Sequence, residues 1–205
     1  MGLMRFNRHG AGGLSILLLG LIKNGMFQKK AGIGTGFIFA IMWIARSKDC
    51  CVYAFFSEIA ARGGGTLVVE GSHKLVARFL AQHPEGMESQ AAIDSLNMQH
   101  PYLAELTGIT NSMDASVDNR IQKFMDSWHT DADGIRMRVV ETTASPGDVI
   151  LCHPFLYHAA SQNHSGIPRF MCNKTTPLKE RMNLSQSSAA ETSTLEKSIR
   201  NSLGY

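Results

Sequence analysis

One stretch in the second half of the chain joins an apolar strand pattern to polar chemistry. A Pro146-Gly147 turn opens an apolar run ending at Cys152, and His158 and Arg169 follow. Proline presets one backbone angle of a tight turn and glycine accepts a positive φ, so this pair typically precedes a strand. A short apolar run bounded by a turn is typical of a buried strand. The sequence therefore predicts a β-rich core with polar groups collected beyond one strand end.

The composition sets limits on the class of protein. The chain has 205 residues, of which 44% are hydrophobic and 18% charged, and this balance is that of a globular chain with one proper core. The formal net charge is +3, and no block of five or six like charges occurs. Such a block is the usual footprint of a nucleic-acid partner. We therefore expect a small-molecule substrate and no nucleic acid.

The first 50 residues form an atypical N-terminal segment. Residues 14–22 and 31–45 are apolar runs separated by the polar residues 23–30. Both runs are shorter than the roughly 20 apolar residues that a membrane-spanning helix needs, so membrane association is not favoured. The four cysteines contain no CxxC spacing and no regular framework, which favours reduced thiols and a cytoplasmic setting.

The remaining pattern predicts strands flanked by helices, a mainly β arrangement of the α+β class. Strands 52–58 and 66–70, joined by a glycine-rich loop, are expected to be neighbours in one antiparallel sheet. Helices are expected after a Ser72 cap, across residues 87–106 with an interruption near Pro101, and before Trp128. Later strands are predicted at 135–142, 148–152 and 169–176, and Ser193 with Glu196 has the capping-box spacing of a short terminal helix.

Two blocks of sequence together resemble the phytanoyl-CoA dioxygenase family. The first is the strand led by Gly147-Asp148, with His158 beyond it and Arg169 eleven positions later. The second is the run Gly63-Gly64-Gly65-Thr66-Leu67-Val68-Val69-Glu70-Gly71-Ser72-His73. The resemblance implies a double-stranded β-helix core of the jelly-roll or cupin kind over residues 51–184, incomplete at its N-terminus. Residues 185–205 are then a polar linker and a short C-terminal helix.

The resemblance also implies a chemistry. Members of this family are dioxygenases that use iron(II) and 2-oxoglutarate to hydroxylate a small organic substrate. By position, His158 corresponds to the distal iron ligand and Arg169 to the residue that holds the 2-oxoglutarate carboxylate. The planar guanidinium of arginine suits that role because it can make two charge-assisted hydrogen bonds at once. No catalytic residue is expected beyond the metal site.

The chain departs from the family pattern at the other two iron ligands, which come from a His-x-Asp or His-x-Glu pair before the glycine run. No such pair occurs there. His129 and Asp131 have the His-x-Asp spacing but follow the glycine run. An exposed polar turn is the favoured interpretation of this pair. The triplet His83-Pro84-Glu85 suits a helix end, and His9-Gly10-Ala11 lies upstream without a carboxylate. The alternative hypothesis is a truncated or decayed member that acts as a non-catalytic binding or structural β-barrel.

Overall fold

The computed structural model of the protein describes residues 16–18, 48–110, 117–178, 182–184 and 192–204. Within these ranges the chain forms two four-stranded sheets, five α-helices and one π-helical turn. Most strand pairs are antiparallel, and the whole is an α+β arrangement, as the sequence predicts. His9, residues 111–116 ahead of the helix expected before Trp128, and the linker at 185–191 lie outside the described residues.

The strands fall into two sheets that do not follow chain order. They are β1 (Ile16–Leu18), β2 (Lys48–Phe55), β3 (Thr66–Glu70), β4 (His129–Thr130), β5 (Arg136–Glu141), β6 (Val149–Cys152), β7 (His158–Ala160) and β8 (Met171–Pro177). The first sheet has the order β1-β6-β2-β8 and the second the order β4-β5-β3-β7. Each sheet therefore joins strands that are far apart in the chain.

The prediction that β2 and β3 are neighbours in one sheet is wrong. β2 pairs with β6 and β8, whereas β3 pairs with β5 and β7. The connecting loop carries the chain from one sheet to the other, and Ile59 forms an isolated bridge with Ala144 on the way. The glycines at 63–65 serve this crossing: a Cβ on Gly65 would lie 2.0 Å from the carbonyl oxygen of Thr142. The close approach of two backbones, and not a hairpin, explains the glycine run.

The strands on either side of His158 and Arg169 belong to different positions in the two sheets. Strands β6 and β8 flank β2 on its two sides in the first sheet, and β7 lies in the second. His158 does not end the Gly-Asp strand, because β6 stops at Cys152 and the chain crosses to the second sheet before His158 begins β7. His158 thus belongs to the second sheet, and Arg169 lies in the loop that leads back to β8 of the first.

The helices are α1 (Ser72–Ala81), α2 (Ser89–Gln99), α3 (Pro101–Leu106), α4 (Val117–Ile121) and α5 (Thr194–Leu203), with a π-helical turn at Gln122–Asp126. The break at Pro101 and the capping box of α5 are confirmed: Ser193 Oγ accepts from the Glu196 N–H, and Glu196 Oε2 accepts from the Ser193 N–H. The expected Ser72 cap is wrong, since Gly71 is the N-cap at φ 81°. Ser72 Oγ instead donates to the Val69 carbonyl and accepts from the Tyr157 N–H.

One core cluster joins both sheets and the helices. The second sheet turns one face, which we call the outer face, toward the helices, and there Val69, Met137 and Val139 are at most 2% exposed. The opposite, inner face turns toward the first sheet, from which Tyr53 and Phe55 project and are each 1% exposed. Among the described residues, no helix is both long and apolar enough to cross a bilayer.

Candidate functional site between the two sheets

His158 lies on the inner face of the second sheet, at the start of β7. Its ring centroid is 6.5 Å from that of Tyr53, which reaches across from β2 in the first sheet. The imidazole is 5% exposed, and burial holds its pKa well below the usual range, so the ring is neutral at neutral pH. Its Nδ1 is buried without a hydrogen-bond partner among the described residues. A neutral imidazole with a ring nitrogen that makes no hydrogen bond is the form of histidine that binds metals.

Tyr53 connects this histidine to Arg169. Burial raises the pKa of the phenol far above its ordinary value, and the Thr66 hydroxyl and the Arg169 guanidinium, both nearby, partly oppose that rise. Thr66 opposes Ala160 and Val68 opposes His158 in the β3–β7 register, so Thr66 and His158 project from one face. Tyr53, Thr66, His158 and Arg169 therefore lie close together, and we call this cluster the His158 site.

A compact loop between β7 and β8 positions Arg169. Asn163 organises it: its amide donates to the Ile167 carbonyl at 2.7 Å, and its Oδ1 accepts from the Ser165 N–H at 3.0 Å. The loop packs against the glycine run, where Gly64 has φ 82° and a Cβ there would lie 2.9 Å from Asn163 Cβ and 3.4 Å from Arg169 Nε. Any larger residue at Gly64 would displace Arg169 or strain the backbone.

The Arg169 guanidinium is half-buried and free to receive an anion. Its NH1 donates to the Met171 sulfur at 2.9 Å, a weak acceptor. Within the part of the chain that the structure describes, no carboxylate lies within ion-pair distance of it. A guanidinium partly removed from water without a carboxylate partner is a favourable place for a ligand carboxylate.

Cysteine thiols line the same inner face of the first sheet. Cys51 and Cys152 are directly opposite one another on β2 and β6, and each is 1% exposed. Burial raises the pKa of Cys152 well above its usual range, which keeps the thiol protonated and unreactive. Cys152 is therefore part of the core.

His129 and Asp131 lie away from the His158 site. His129 pairs with Met137 across the β4–β5 ladder and stacks on Tyr102 of α3 at 4.7 Å, on the outer face. Asp131 Oδ2 lies 3.4 Å from His100 Nε2, and its Oδ1 accepts from the backbone N–H groups of Asp133 and Ile135. This His-x-Asp closes a turn and joins it to the end of α2.

The other histidines have structural surroundings. His73 and His153 lie with ring centroids 4.9 Å apart, and His153 Nδ1 accepts from the Phe155 N–H. His83 is 3.5 Å from Glu85 at the end of α1, as a helix-end interpretation predicts. Among the described residues no three histidine, cysteine, aspartate or glutamate side chains are grouped so that they could hold a metal ion. The described residues thus contain no complete set of iron ligands.

Tyr53 and Thr66 are the site residues that the sequence analysis did not single out. Their signal is the alternation within two strands: Cys51, Tyr53 and Phe55 share one face of β2, and Thr66 and Val68 share one face of β3. That alternation becomes informative only when the strand partners are known.

Comparison with known families supports the resemblance stated above. The family model described as Phytanoyl-CoA dioxygenase (PhyH) matches residues 45–171, which is more than half of the chain and includes both His158 and Arg169. Neither the curated proteins nor the solved structures contain a match to this chain.

Proposed function

The chain belongs to the phytanoyl-CoA dioxygenase family, and on that premise we propose that it is an iron(II)- and 2-oxoglutarate-dependent dioxygenase that hydroxylates a small organic substrate. In this proposal His158 is one iron ligand and Arg169 holds the 2-oxoglutarate carboxylate. The two facing four-stranded sheets support a double-stranded β-helix frame over residues 51–184. The free cysteines support a reduced, cytoplasmic setting.

One observation carries the proposal: the neutral His158 on β7 and Arg169 in the loop before β8 both lie close to Tyr53, and among the described residues Arg169 has no carboxylate partner. Sequence spacing alone does not predict this convergence, because His158 lies on the second sheet and Arg169 lies in the loop that leads to the first. A ligand carboxylate on Arg169 would sit beside the Tyr53 phenol, whose buried hydroxyl stays protonated and can donate to it.

The chemistry of the bound metal is oxidative: iron(II) would use dioxygen and 2-oxoglutarate to hydroxylate the substrate. The residues of this chain have simpler roles. His158 offers a neutral nitrogen, Arg169 orients the co-substrate, and Phe55, Ile150 and Cys152 keep water from the inner face of the first sheet. The other two iron ligands are not found among the described residues, so no residue is assigned to those two positions.

The first test is an anaerobic titration of the 205-residue chain with iron(II) and 2-oxoglutarate, followed by the visible charge-transfer band of the chelate. We expect a band in the native chain that is lost in His158→Ala and weakened at least tenfold in apparent affinity in Arg169→Ala, because a charge-assisted bidentate contact is lost. The control is His164→Ala, which removes an exposed histidine six positions from His158. A band that persists unchanged in His158→Ala would contradict the assignment.

The second measurement is succinate formation coupled to substrate oxidation, screened over small organic acids and amino acids. Both His158→Ala and Arg169→Ala are expected to reduce it to background. Turnover that remains unchanged in either variant excludes that residue from its proposed role.

A non-catalytic binding barrel is the second candidate function. The observation that favours it is the lack of any three-residue metal cluster among the described residues. In that case 2-oxoglutarate or a similar dicarboxylate would still bind through Arg169, measured by calorimetry without metal, while iron(II) would produce no band. Stoichiometric iron binding that depends on His158 would exclude this candidate.

A further inference from the structure

The turn that leads into the glycine run holds a non-glycine residue in the left-handed region. The Gly63 N–H donates to the Ala60 carbonyl at 2.9 Å, which closes a four-residue turn with Arg62 in its third position. Arg62 has φ 61°, and among the described residues it is the one residue other than glycine with a positive φ. A positive φ at the third residue is the pattern of a type II turn, where glycine or asparagine is usual and a larger side chain strains the backbone. The surrounding structure must therefore hold Arg62 in place.

The carboxylate of Glu141, on β5, supports this turn. Its Oε2 accepts from the Arg62 N–H at 2.8 Å, and its Oε1 lies 3.5 Å from Ser161 Oγ. In the part of the chain that the structure describes, no cationic side chain forms an ion pair with this carboxylate. A hydrogen bond from a backbone N–H to a carboxylate is among the stronger ones because the acceptor is charged. Glu141 is thus placed to keep Arg62 in its strained conformation.

The Arg62 turn in turn holds the loop between β7 and β8. The Arg62 carbonyl accepts from the His164 N–H at 2.8 Å, and Gly63 forms an isolated bridge with Asn163. Residues 162–168 are all exposed, so these hydrogen bonds hold the loop where burial does not. A change in the backbone of the turn would therefore move the loop.

Through this loop the turn acts on Arg169. Gly64 packs against Asn163 and against the Arg169 guanidinium, whose Nε would lie 3.4 Å from a Cβ at that glycine. Glu141 itself lies opposite Leu67 in the β3–β5 register, on the outer face of the second sheet, so it does not project toward His158. Its influence on the site is therefore indirect.

We propose that Glu141 is a positioning residue for the co-substrate. By holding the Arg62 turn in its left-handed conformation, it keeps the loop and Arg169 in the arrangement that binds the 2-oxoglutarate carboxylate. This inference rests on the proposed function, because it takes Arg169 as the residue that binds 2-oxoglutarate. Without the Glu141 carboxylate the turn relaxes toward a negative φ at Arg62. The apparent dissociation constant then rises in inverse proportion to the fraction of chains that keep the binding arrangement.

The test is the dissociation constant of 2-oxoglutarate for the full chain, measured by calorimetry with and without iron(II) on variants that urea denaturation shows to be folded. Glu141→Ala is expected to raise this constant about 5- to 10-fold, as the cost of a left-handed non-glycine residue predicts. Glu141→Gln keeps an oxygen that accepts from the Arg62 N–H and should stay within about twofold of the native chain. Loss of a negative charge near a cationic site would by itself tighten binding of a dianion, so weaker binding is not a charge effect. Native affinity in Glu141→Ala would overturn the proposal.

A second substitution shows whether Glu141 acts through the turn. Glycine adopts a positive φ without strain, so Arg62→Gly keeps the backbone N–H and carbonyl and removes the need for support. The double variant Glu141→Ala/Arg62→Gly should recover most of the affinity that Glu141→Ala loses, and Arg62→Gly alone reports the effect of the lost arginine charge. If the double variant binds 2-oxoglutarate as weakly as Glu141→Ala, the proposal fails.

The matched control is Glu58→Ala, which removes an exposed carboxylate four positions before Arg62. Within the described ranges the Glu58 side chain takes part in no ion pair, so its loss should leave the affinity for 2-oxoglutarate unchanged. A loss of affinity in Glu58→Ala as large as that in Glu141→Ala would show a general effect of carboxylate removal and would reject the positioning role.

The same measurements separate this inference from the proposed function. If the native chain gives the iron band and Glu141→Ala binds 2-oxoglutarate with native affinity, the positioning proposal alone is wrong. If no iron band appears, while the affinity measured without metal falls in Glu141→Ala and recovers in the double variant, the positioning role is confirmed and the oxygenase proposal is wrong. If the native chain does not bind 2-oxoglutarate at all, both are wrong.

Discussion

The two faces of the sheet β4-β5-β3-β7 are built from the same strands and have opposite characters. On the outer face Met137 and Val139 are 0% and 2% exposed beneath the helices. On the inner face exposure is uneven: Val68 and His158 are 0% and 5% exposed, whereas the side chain of Arg138 is 35% exposed and Trp128 is 43% exposed. Burial of apolar surface is the main source of stability, and exposed polar groups on a sheet are available for ligands. The outer face thus stabilises the fold, and the inner face carries the candidate chemistry.

Two histidines on this sheet show the same contrast. His129, on the outer face, stacks on Tyr102, and its neighbour Asp131 is held by His100 and by two backbone N–H groups. His158, on the inner face, has a buried nitrogen with no hydrogen-bond partner among the described residues. His100 Nδ1 and Tyr102 Oη on the outer face are also buried without a partner in the described part of the chain. The difference therefore lies in the neighbours: an aspartate and a stacked tyrosine around His129, and Tyr53 with Arg169 near His158. A His-x-Asp sequence therefore does not indicate a metal site in this fold unless its side chains lie on the inner face.

Replacement of Asp131 by alanine tests the structural role on the outer face and has the largest expected effect. The variant loses the contact to His100 and two acceptor interactions with backbone N–H groups, all in a site where the carboxylate is 8% exposed. We expect a loss of about 3 kcal/mol in the free energy of unfolding, measured by urea denaturation.

The control for this prediction is Asp131→Asn, whose Oδ1 can still accept from Asp133 and Ile135 and which should lose less than half as much. Iron and 2-oxoglutarate binding to the folded Asp131→Ala variant should match the native chain. If Asp131→Ala abolished the iron band without loss of stability, Asp131 would belong to the metal centre, and the division between the two faces would be wrong.

Adjacent valines on β5 provide the most direct test of the two faces. Val139 is 2% exposed on the outer face, and Val140 is half-buried on the inner face. We expect Val139→Ala to cost about 2 kcal/mol in the free energy of unfolding and Val140→Ala less than about 1 kcal/mol, because only the first leaves a cavity in a closed core. Equal losses in chemical denaturation would show that the inner face is as tightly packed as the outer one.

The sequence predicts the elements of this fold better than their partners. The strand at Thr66–Glu70, the break at Pro101 and the capping box at Ser193 follow from local rules that need no knowledge of the rest of the chain. The assignment of β2 and β3 to one sheet is wrong because a glycine run suits a hairpin and a crossing between sheets equally well. Only the 2.0 Å approach of a Gly65 Cβ to the Thr142 oxygen distinguishes the two.

The candidate site was predictable to the extent that it depends on spacing. His158 and Arg169 follow from a motif, whereas the position of Tyr53 beside His158 depends on the packing of β2 against β7, which lie about 100 residues apart in the chain. Trp128 meets Arg138 only because β4 and β5 form a tight ladder after the turn at Asp131. Side chains that meet across strands are set by tertiary packing, which a single sequence does not specify.

The pH dependence of stability tests whether buried histidines outside the His158 site are purely structural. Burial lowers the pKa of His73 to about 4, with a contribution from nearby Lys74, and burial holds the pKa of His153 well below its usual range, with His73 close by. The unfolded chain binds a proton on each ring near pH 6.5, and the folded chain binds it only at lower pH. Their contribution to stability is therefore complete above about pH 6.5 and is lost as the pH falls toward the folded pKa.

We expect the free energy of unfolding to fall by about 1.4 kcal/mol per pH unit for each such ring below pH 6. His153→Asn removes one of the two rings, and its amide oxygen can keep the hydrogen bond from the Phe155 N–H. The change of the unfolding free energy per pH unit between pH 6 and pH 4.5, measured by urea denaturation, should therefore be smaller in this variant. Above pH 7.5 these rings are neutral in both states and should add no pH dependence in either chain. An unchanged slope would mean that His153 is protonated as readily in the folded chain as in the unfolded one, although its burial requires a neutral ring.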